Sequence, residues 1–460
     1  MNERFAKYIW IALGGLAILI IGTLGVANFK VGPYIANIEI TDSKRFHDQV
    51  IFNVEIGNYF FKIDKATWCL LSTDEKQPSK DSSGWVQASN GYCSFTVESG
   101  DYFVYVKDKY GNINDVNSQS VEINKVIEVK VSKSNVYMWK GQEETVTYEV
   151  IKLGNATDDV KWESSNPNIA TVSEDGKVTG IDYGTATISA VSSEGVRGNI
   201  TVVVSNFLTK PVINLKKSYI ECKQFSSNEA TMIDQMLFDR VETAGYKTRA
   251  GVIAAARFLT LEFNYRIHYF AENGRLKNYP PYKHVDGEGR YYHRGLYLDE
   301  SKFKEITASL VGPAIWGCDL KTFTELPQYI YGHNYPNGLD CSGFVTWALL
   351  NGGFDVGDIG AGAHEDKYDL DDLGTKVYIT DELMSSGKVK VGDLIGNNGH
   401  MAILAGWDEN NYYIAESLNT TGGVVMTTVS RNNLVHNSIY DYIILMDAVY
   451  KEDGNYTNMW

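Results

Sequence analysis

Residues 337–353 read NGLDCSGFVTWALLNGG, with one cysteine set between an aspartate and a serine. After Cys341, apolar side chains recur at three- and four-residue spacings: Phe344, Val345, Ala348 and Leu349. This is the period of an apolar helical stripe, so the stretch predicts a helix that begins at Cys341. Unpaired backbone N–H groups and the helix dipole stabilise negative charge at that end, which favours a thiolate and an oxyanion beside it. The position therefore predicts a nucleophile, because a structural thiol would more naturally lie within the stripe.

A thiolate nucleophile needs a base, and a third polar group orients that base. Downstream, GHMAILAG predicts a strand that opens at His400, and YYIAES predicts the strand that returns after a turn. With a five-residue turn, Glu416 pairs across from Ala402 and lies on the same face as His400, as a diagonal neighbour. With an even residue count, Ala415 or Ser417 takes that face instead. The hairpin register therefore decides whether Glu416 orients His400.

Three motifs in this order, GLDCSGFV, VGDLI and GHMAILAG, resemble the catalytic core of NlpC-type cell-wall cysteine peptidases. That family belongs to the papain-like superfamily and is related to the CHAP amidases, and the resemblance covers about residues 325–450. The matching positions of its Tyr-x-x-Gly and Asp-Cys-Ser-Gly patterns are Tyr329, Gly332, Asp340, Cys341, Ser342 and Gly343. The chain departs from the family at His333, where a second glycine is common, and at Val391, where proline is frequent. The third catalytic position is also acidic, which leaves the branch of the family and the scissile bond, endopeptidase or amidase, open.

The resemblance implies three catalytic residues: Cys341 as the nucleophile, His400 as the general base and Glu416 as the acid that holds the imidazole. It also implies that the substrates are peptidoglycan stem peptides, whose amide bonds are cleaved through an acyl-enzyme. Three further residues are candidates for gripping the substrate: Asp340, Ser342 and Tyr329. No metal and no other cofactor is required by this chemistry.

Two stretches ahead of these motifs have the pattern of all-β domains. Residues 34–124 contain short alternating runs such as QVIFNVEI and CSFTVES, which predict an Ig-like sandwich. Residues 125–205 resemble the bacterial Ig-like group 2 domain, through Trp162, the SSNP turn, IATVS, Gly176 and GTATISA. The resemblance implies a β-sandwich that serves either as a spacer, which two sandwiches in series favour, or as an adhesive module for cell-surface partners.

The amino-terminal segment predicts a membrane anchor. Between Lys7 and Lys30 lie 22 residues without a formal charge, YIWIALGGLAILIIGTLGVANF, enough to span a bilayer as a helix. Arg4 and Lys7 precede the run, which by the positive-inside tendency places the N-terminus in the cytoplasm and the rest of the chain outside the cell. A cleaved signal peptide is the alternative, although the apolar run is long for one. Both interpretations export the catalytic region.

The cysteine count and the charge fit an exported protein. Five cysteines leave one thiol over, and candidate disulfides are Cys69–Cys93 and Cys222–Cys318, which would isolate Cys341. The alternative is that all five are reduced and buried. A net charge of −15 argues against a nucleic-acid partner, because phosphate binding needs concentrated Lys and Arg.

The sequence therefore predicts a multidomain chain: a transmembrane helix, two all-β Ig-like sandwiches, and an α+β papain-like domain with a helical lead-in. The predicted boundaries are 1–33 for the cytoplasmic N-terminus and anchor, 34–124 and 125–205 for the sandwiches, 206–310 for the lead-in and 311–460 for the peptidase core. In the lead-in, Ser226 and Glu229 have the spacing of a capping box, and a second helix is predicted from Thr248 to residue 270. The expected function is a membrane-anchored extracellular peptidoglycan hydrolase. The alternatives are a surface interaction protein with an inactive peptidase-like domain, and an amidase or transpeptidase on a non-wall substrate.

Overall fold

The computed structural model describes residues 33–42, 49–58, 67–212, 220, 225–269, 294–296, 298, 339–356 and 373–454. The predicted anchor, Tyr329 and the pair Cys222–Cys318 lie outside these ranges. Within them, no helix is both long and apolar enough to cross a membrane. The chain divides into two compact units: Met1–Ser132 with Thr147–Glu163 and Ser189–Gly198, and Lys133–Val146 with Ser164–Ile188 and Asn199–Trp460.

The first predicted sandwich consists of two antiparallel sheets. Its strands are β1 (Pro33–Asp42), β2 (Val50–Asn58), β3 (Trp68–Ser72), β4 (Val86–Gln87), β5 (Tyr92–Val97), β6 (Gly100–Lys107) and β7 (Ile113–Val121). One sheet has the order β1-β2-β5 and the other β4-β3-β6-β7. The predicted disulfide between Cys69 and Cys93 is present, and it links β3 of one sheet to β5 of the other. Both cysteines are buried in the core, with Val54 and Val104 beside them.

Short strands also make up the segment that resembles a bacterial Ig-like domain. They are β8 (Lys125–Val131), β9 (Asn135–Met138), β10 (Glu143–Thr145), β11 (Tyr148–Leu153), β12 (Val160–Ser164), β13 (Ala170–Val172), β14 (Lys177–Gly180), β15 (Gly184–Ser192) and β16 (Arg197–Val204). In the first unit, β11 pairs antiparallel with β8. In the second unit, β14 pairs with β10 and β13, and β16 pairs in parallel with β9. This segment is all-β, as predicted.

Two helices follow, and their caps are those that the sequence predicts. They are α1 (Ser227–Ala244) and α2 (Arg249–Arg257). Ser226 and Glu229 form the capping box of α1, Gly245 ends it, and Thr248 caps the start of α2. The prediction that the second helix reaches residue 270 is wrong.

Beyond α2 the chain makes one π-helical turn, Phe258–Glu262, and is then extended to Tyr269. Three buried apolar residues alternate there with three half-buried polar ones: Phe263, Tyr265 and Ile267 with Asn264, Arg266 and His268. Alternation is the period of a strand, not of a helix, and it outweighs the apolar content on which the helix prediction rested. The extended segment forms isolated bridges, one of them between His268 and Gly423.

The remaining elements combine helices with one antiparallel sheet. The helices are α3 (Cys341–Asn351), α4 (Asp381–Ser385) and α5 (Arg431–His436), with 3-10 turns at Asn419–Thr421 and Met446–Ala448. The strands are β17 (Thr375–Tyr378), β18 (Leu394–Asn397), β19 (His400–Trp407), β20 (Asn411–Leu418), β21 (Gly423–Ser430) and β22 (Tyr442–Leu445), in the order β17-β22-β18-β19-β20-β21. Ile403 of β19 packs in a hydrophobic core with residues of α1, α2 and α3. Its neighbour Ala402 packs in a second core with Ile414 and Tyr440. Helices α1–α3 and the sheet therefore share the first of these two cores.

Candidate active site

Cys341 is the first residue of α3, as its sequence predicts. Asp340 caps the helix, and its Oδ1 accepts hydrogen bonds from the Gly343 N–H at 2.8 Å and the Ser342 hydroxyl at 3.1 Å. The Cys341 side chain is buried, with its sulfur 4.0 Å from the carbonyl oxygen of Gly399, and the thiol is free. The sulfur therefore lies at the positive end of the helix dipole. Its neighbour Gly399 immediately precedes His400 in the chain.

His400 opens β19 and contacts both proposed partners. Its Nε2 lies 2.7 Å from Oε2 of Glu416. A carboxylate accepts hydrogen bonds, so Nε2 carries a proton and Nδ1 is left for the Cys341 thiol. Burial by itself lowers the pKa of His400, but hydrogen bonds to Cys341 and Glu416 and their charges outweigh it and raise the pKa from 6.5 to about 9. At neutral pH the arrangement therefore favours the imidazolium form of His400.

Glu416 is buried, with 1% of its side chain exposed, and three groups hold its carboxylate. Oε2 accepts hydrogen bonds from His400 and from the Tyr440 hydroxyl at 2.7 Å, and Oε1 accepts one from the Thr427 hydroxyl. Burial raises the pKa of Tyr440, and the negative charge of Glu416 raises it further, so this hydroxyl stays protonated as a donor. Three donors therefore satisfy the hydrogen-bonding capacity of this buried carboxylate.

The register of the β19–β20 hairpin brings Glu416 to His400. The length of the turn alone would not produce this register. Next to the turn, Trp407 pairs with Tyr412, so an even number of residues separates the paired positions. Extended along the strands, that register would set Ser417 opposite Ala402. A β-bulge between Leu404 and Gly406 shifts the pairing by one residue. Beyond it Ile403 pairs with Ala415, and the next position along sets Glu416 opposite Ala402.

Three residues near the site were missed from the sequence. Thr427 lies on β21, and Tyr440 precedes β22; neither is near Glu416 in the chain, but both donate to its carboxylate. Tyr269 ends the extended segment after α2, where its N–H donates to the Gly422 carbonyl at 3.2 Å. Burial raises the pKa of Tyr269 to about 12, and the negative charges of Cys341 and Asp340 contribute. The alternating pattern of residues 263–268 was the signal that could have brought this segment to the sheet.

The structure gives Asp340 and Ser342 a visible role in capping α3. Asp340 is 7% exposed and Ser342 5%; Asp340 accepts the Gly343 N–H at the helix start, and the Ser342 hydroxyl donates to the same carboxylate oxygen. Their predicted substrate contacts, and that of Tyr329 outside the described residues, stay predictions. Among the residues described, no group of three or more His, Cys, Asp or Glu side chains is placed to hold a metal ion.

The aspartate of the VGDLI motif ties the sheet to α2. Asp393 is 1% exposed and accepts hydrogen bonds from Arg249 at 2.7 Å and from the backbone N–H groups of Lys390 and Met446. Arg249 is fully buried and also bonds to Asp447 and Asp453. The charge pair fixes the start of α2 against the sheet that carries His400.

Comparison with known proteins identifies one region of the chain. Residues 125–203 match the family model of the bacterial Ig-like domain (group 2), which confirms the resemblance predicted for residues 125–205. The strands before and within this region accordingly form all-β Ig-like sandwich domains. No curated protein matches the chain.

Several solved structures show weak similarity. A C-terminal 282-residue fragment of intimin, in complex with the intimin-binding domain of the translocated intimin receptor, is 18% identical over 46% of this chain and 80% of that chain, with a TM-score of 0.25. Domains 4 and 5 of the S-layer protein SbsC are 24% identical over 24% of this chain and 66% of that chain, with a TM-score of 0.17. Fibronectin(III)-like modules of Clostridium thermocellum CbhA are 12% identical over 34% of this chain and 85% of that chain, with a TM-score of 0.18. Such low scores support no conclusion about function.

Proposed function

We propose that this chain is a cysteine peptidase or amidase of the papain-like, NlpC-type class, which hydrolyses amide bonds in peptidoglycan stem peptides. The observation that carries the proposal is the hydrogen-bonded series from Cys341 through His400 to Glu416, with the sulfur at a helix start. The peptidoglycan substrate rests on the resemblance of the three motifs to cell-wall peptidases and on the predicted export of the chain.

The proposed reaction follows from the charges of these groups. The Cys341 thiolate attacks the scissile carbonyl carbon and forms an S–C bond, while N–H groups at the start of α3 stabilise the oxyanion. The His400 imidazolium gives its Nδ1 proton to the leaving amine as the C–N bond breaks. Water then gives a proton to the neutral His400 as it attacks the thioester carbonyl, and the S–C bond breaks, which releases the acid product and restores the thiolate and the imidazolium. Glu416 holds the ring in one orientation and stabilises its positive charge throughout.

Zymography on purified cell walls, followed by mass spectrometry of the soluble products, tests this proposal. We expect the wild type to clear the wall and to release new stem-peptide fragments, and Cys341→Ala to do neither. Glu409→Gln, an exposed carboxylate at the turn of the same hairpin, is the matched control and should clear like the wild type. Clearing that persists in Cys341→Ala would refute the mechanism, and thiol-dependent activity without wall fragments would point to a non-wall amidase or transpeptidase.

A second candidate function rests on the bacterial Ig-like match at residues 125–203. In this alternative the sandwiches bind a cell-surface partner, and the peptidase-like region is inactive. Sedimentation of the purified protein with whole cells or walls distinguishes the two functions. Saturable binding by wild type and Cys341→Ala alike, with no product from either, favours the surface interaction protein.

The proposed location is the cell membrane, with a single span formed by the apolar run between Lys7 and Lys30, the N-terminus in the cytoplasm and the catalytic region outside. The sandwiches would then serve as spacers between bilayer and wall. Proteinase treatment of intact cells whose walls have been made permeable tests this topology. Digestion of the region from residue 34 onwards is expected, and full protection of that region would contradict it.

A further inference from the structure

The β-bulge in β19 has a specific partner outside the hairpin. Arg257, the last residue of α2, donates two hydrogen bonds to the carbonyl oxygen of Ala405, from Nη2 at 2.7 Å and from Nε at 3.2 Å. Ala405 is the residue that the pairing skips, between Leu404 and Gly406. A bulge leaves backbone groups out of the ladder, and a buried carbonyl without a partner is costly. Arg257 satisfies that carbonyl with a charged donor.

The position of the bulge determines which side chain meets His400. On the turn side, the pairing of Trp407 with Tyr412 would carry Ser417 to the face of His400. On the far side, the pairing of Ile403 with Ala415 carries Glu416 there instead. Because side chains alternate along a strand, a slip of one residue moves a whole set to the opposite face. The carboxylate therefore reaches the imidazole only while β19 keeps one extra residue between Ala402 and the turn, and Ala405 is that residue.

We propose that Arg257 is a positioning residue for the Cys341–His400–Glu416 site, acting through the bulge at Ala405 to fix the hairpin register. This positioning role matters for catalysis only under the proposed function. The contact between Glu416 and His400 that it maintains is measurable without any substrate. Through its two bonds to the Ala405 carbonyl, Arg257 acts on the backbone of β19 and not on the reacting groups themselves. Its guanidinium is half-buried, burial lowers its pKa to about 10 while Glu262 raises it, and it keeps its charge at neutral pH.

The chain offers a matched control at the other end of the same hairpin. Arg431 donates two hydrogen bonds to the carbonyl oxygen of Asp408, from Nη2 at 2.7 Å and from Nε at 3.0 Å. Asp408 lies at the turn, outside the segment in which the register changes. Arg431→Gln therefore removes the same kind of bidentate contact from the same hairpin, together with the bond from Nη1 to the Tyr412 hydroxyl at 3.2 Å, and leaves the bulge in place.

The test is an NMR pH titration of the His400 ring in the full chain, with thermal unfolding recorded in parallel. His400 is surrounded by the titratable groups Cys341, Glu416 and Tyr440, and loss of the Glu416 carboxylate from this set should lower the midpoint. For Arg257→Gln we expect a fall of about one pH unit or more, because one unit is the effect of a typical ion pair. For Arg431→Gln we expect a similar loss of thermal stability and a midpoint within about 0.3 units of the wild type.

Arg257→Lys guards against a variant that does not fold. It retains the charge and a single donor, and it should show a smaller fall in the His400 midpoint than Arg257→Gln. A wild-type midpoint in folded Arg257→Gln or Arg257→Lys would overturn the proposal, as would an equal fall in Arg431→Gln. If the wild type cleaves no wall peptide but the Arg257 variants shift the midpoint as expected, the proposed function fails while the positioning role stands.

Discussion

Replacing Glu416 by Gln is the substitution that most directly tests the chemistry of the site. The amide has nearly the same shape, and its oxygen can still accept from His400 and Tyr440 while its NH₂ group faces the Thr427 hydroxyl. Thr427 can accept that bond and turn its own proton to the Ile414 carbonyl, 3.4 Å away. Glu416→Gln should therefore keep the geometry and remove only the negative charge.

The expected magnitude follows from the pKa of His400. A rise from 6.5 to about 9 corresponds to about 3 kcal/mol in favour of the imidazolium, at roughly 1.4 kcal/mol per pH unit. Cys341 and Glu416 both contribute to this stabilisation. With half of it assigned to Glu416, loss of the carboxylate should lower the His400 pKa by about one unit and the rate by about tenfold. We expect kcat/KM to fall by about 10- to 100-fold and the alkaline limb of its pH profile to move down by about one pH unit.

The assay is hydrolysis of purified stem peptides across pH, with the NMR midpoint of His400 measured on the same samples. Glu409→Gln, the exposed carboxylate of the same hairpin, should match the wild type in both measurements. Wild-type kcat/KM and an unchanged midpoint in Glu416→Gln would refute the reasoning, since the carboxylate would then contribute nothing to the imidazolium. A lower rate with an unchanged midpoint would show that Glu416 orients the ring without stabilising its charge.

Three further predictions concern stability. Since folding raises the pKa of His400 from 6.5 to about 9, its contribution to stability is complete below about pH 6.5 and is lost as the pH rises through about 9; the Tm should fall over that interval less in Glu416→Gln than in the wild type. Replacing Cys69 and Cys93, 24 residues apart, by Ala should destabilise the first sandwich by about 3 kcal/mol, and hydrogen exchange in β3 and β5 measures this. Asp340→Ala should lower the free energy of unfolding by about 1 kcal/mol through loss of the α3 cap, whereas Asp340→Asn should retain most of it; urea unfolding compares the two.

Features that depend on neighbouring residues could be predicted from the sequence. The start of α3 at Cys341 follows from local periodicity and from a capping aspartate, and the capping box at Ser226 is equally local. The disulfide Cys69–Cys93 could be predicted from the number of cysteines in the chain and from the position of both residues in one predicted domain. Each of these signals lies within one element or one domain, where spacing limits the alternatives.

Features that depend on distant contacts could not be predicted in the same way. Thr427 and Tyr440 reach Glu416 only because β21 and the segment before β22 fold next to β20, and nothing in their own sequence indicates it. The extended segment that ends at Tyr269 is as apolar as a buried helix, and only the alternation of residues 263–268 indicates a strand. The partnership of Glu416 with His400 was predicted from a five-residue turn, whereas the structure reaches it through an even-count turn and a bulge.

That difference shows where the site is most sensitive. Cys341 is fixed by the start of its own helix, and His400 by the first position of its strand, so both depend on local structure. Glu416 depends on the register of a hairpin, and the bulge that sets this register is satisfied by Arg257 from α2. The same helix begins at Arg249, whose buried ion pair with Asp393 holds it to the sheet. Helix α2 therefore contacts the sheet at both ends, and Arg257→Gln should lower the basicity of His400 through the register of the hairpin.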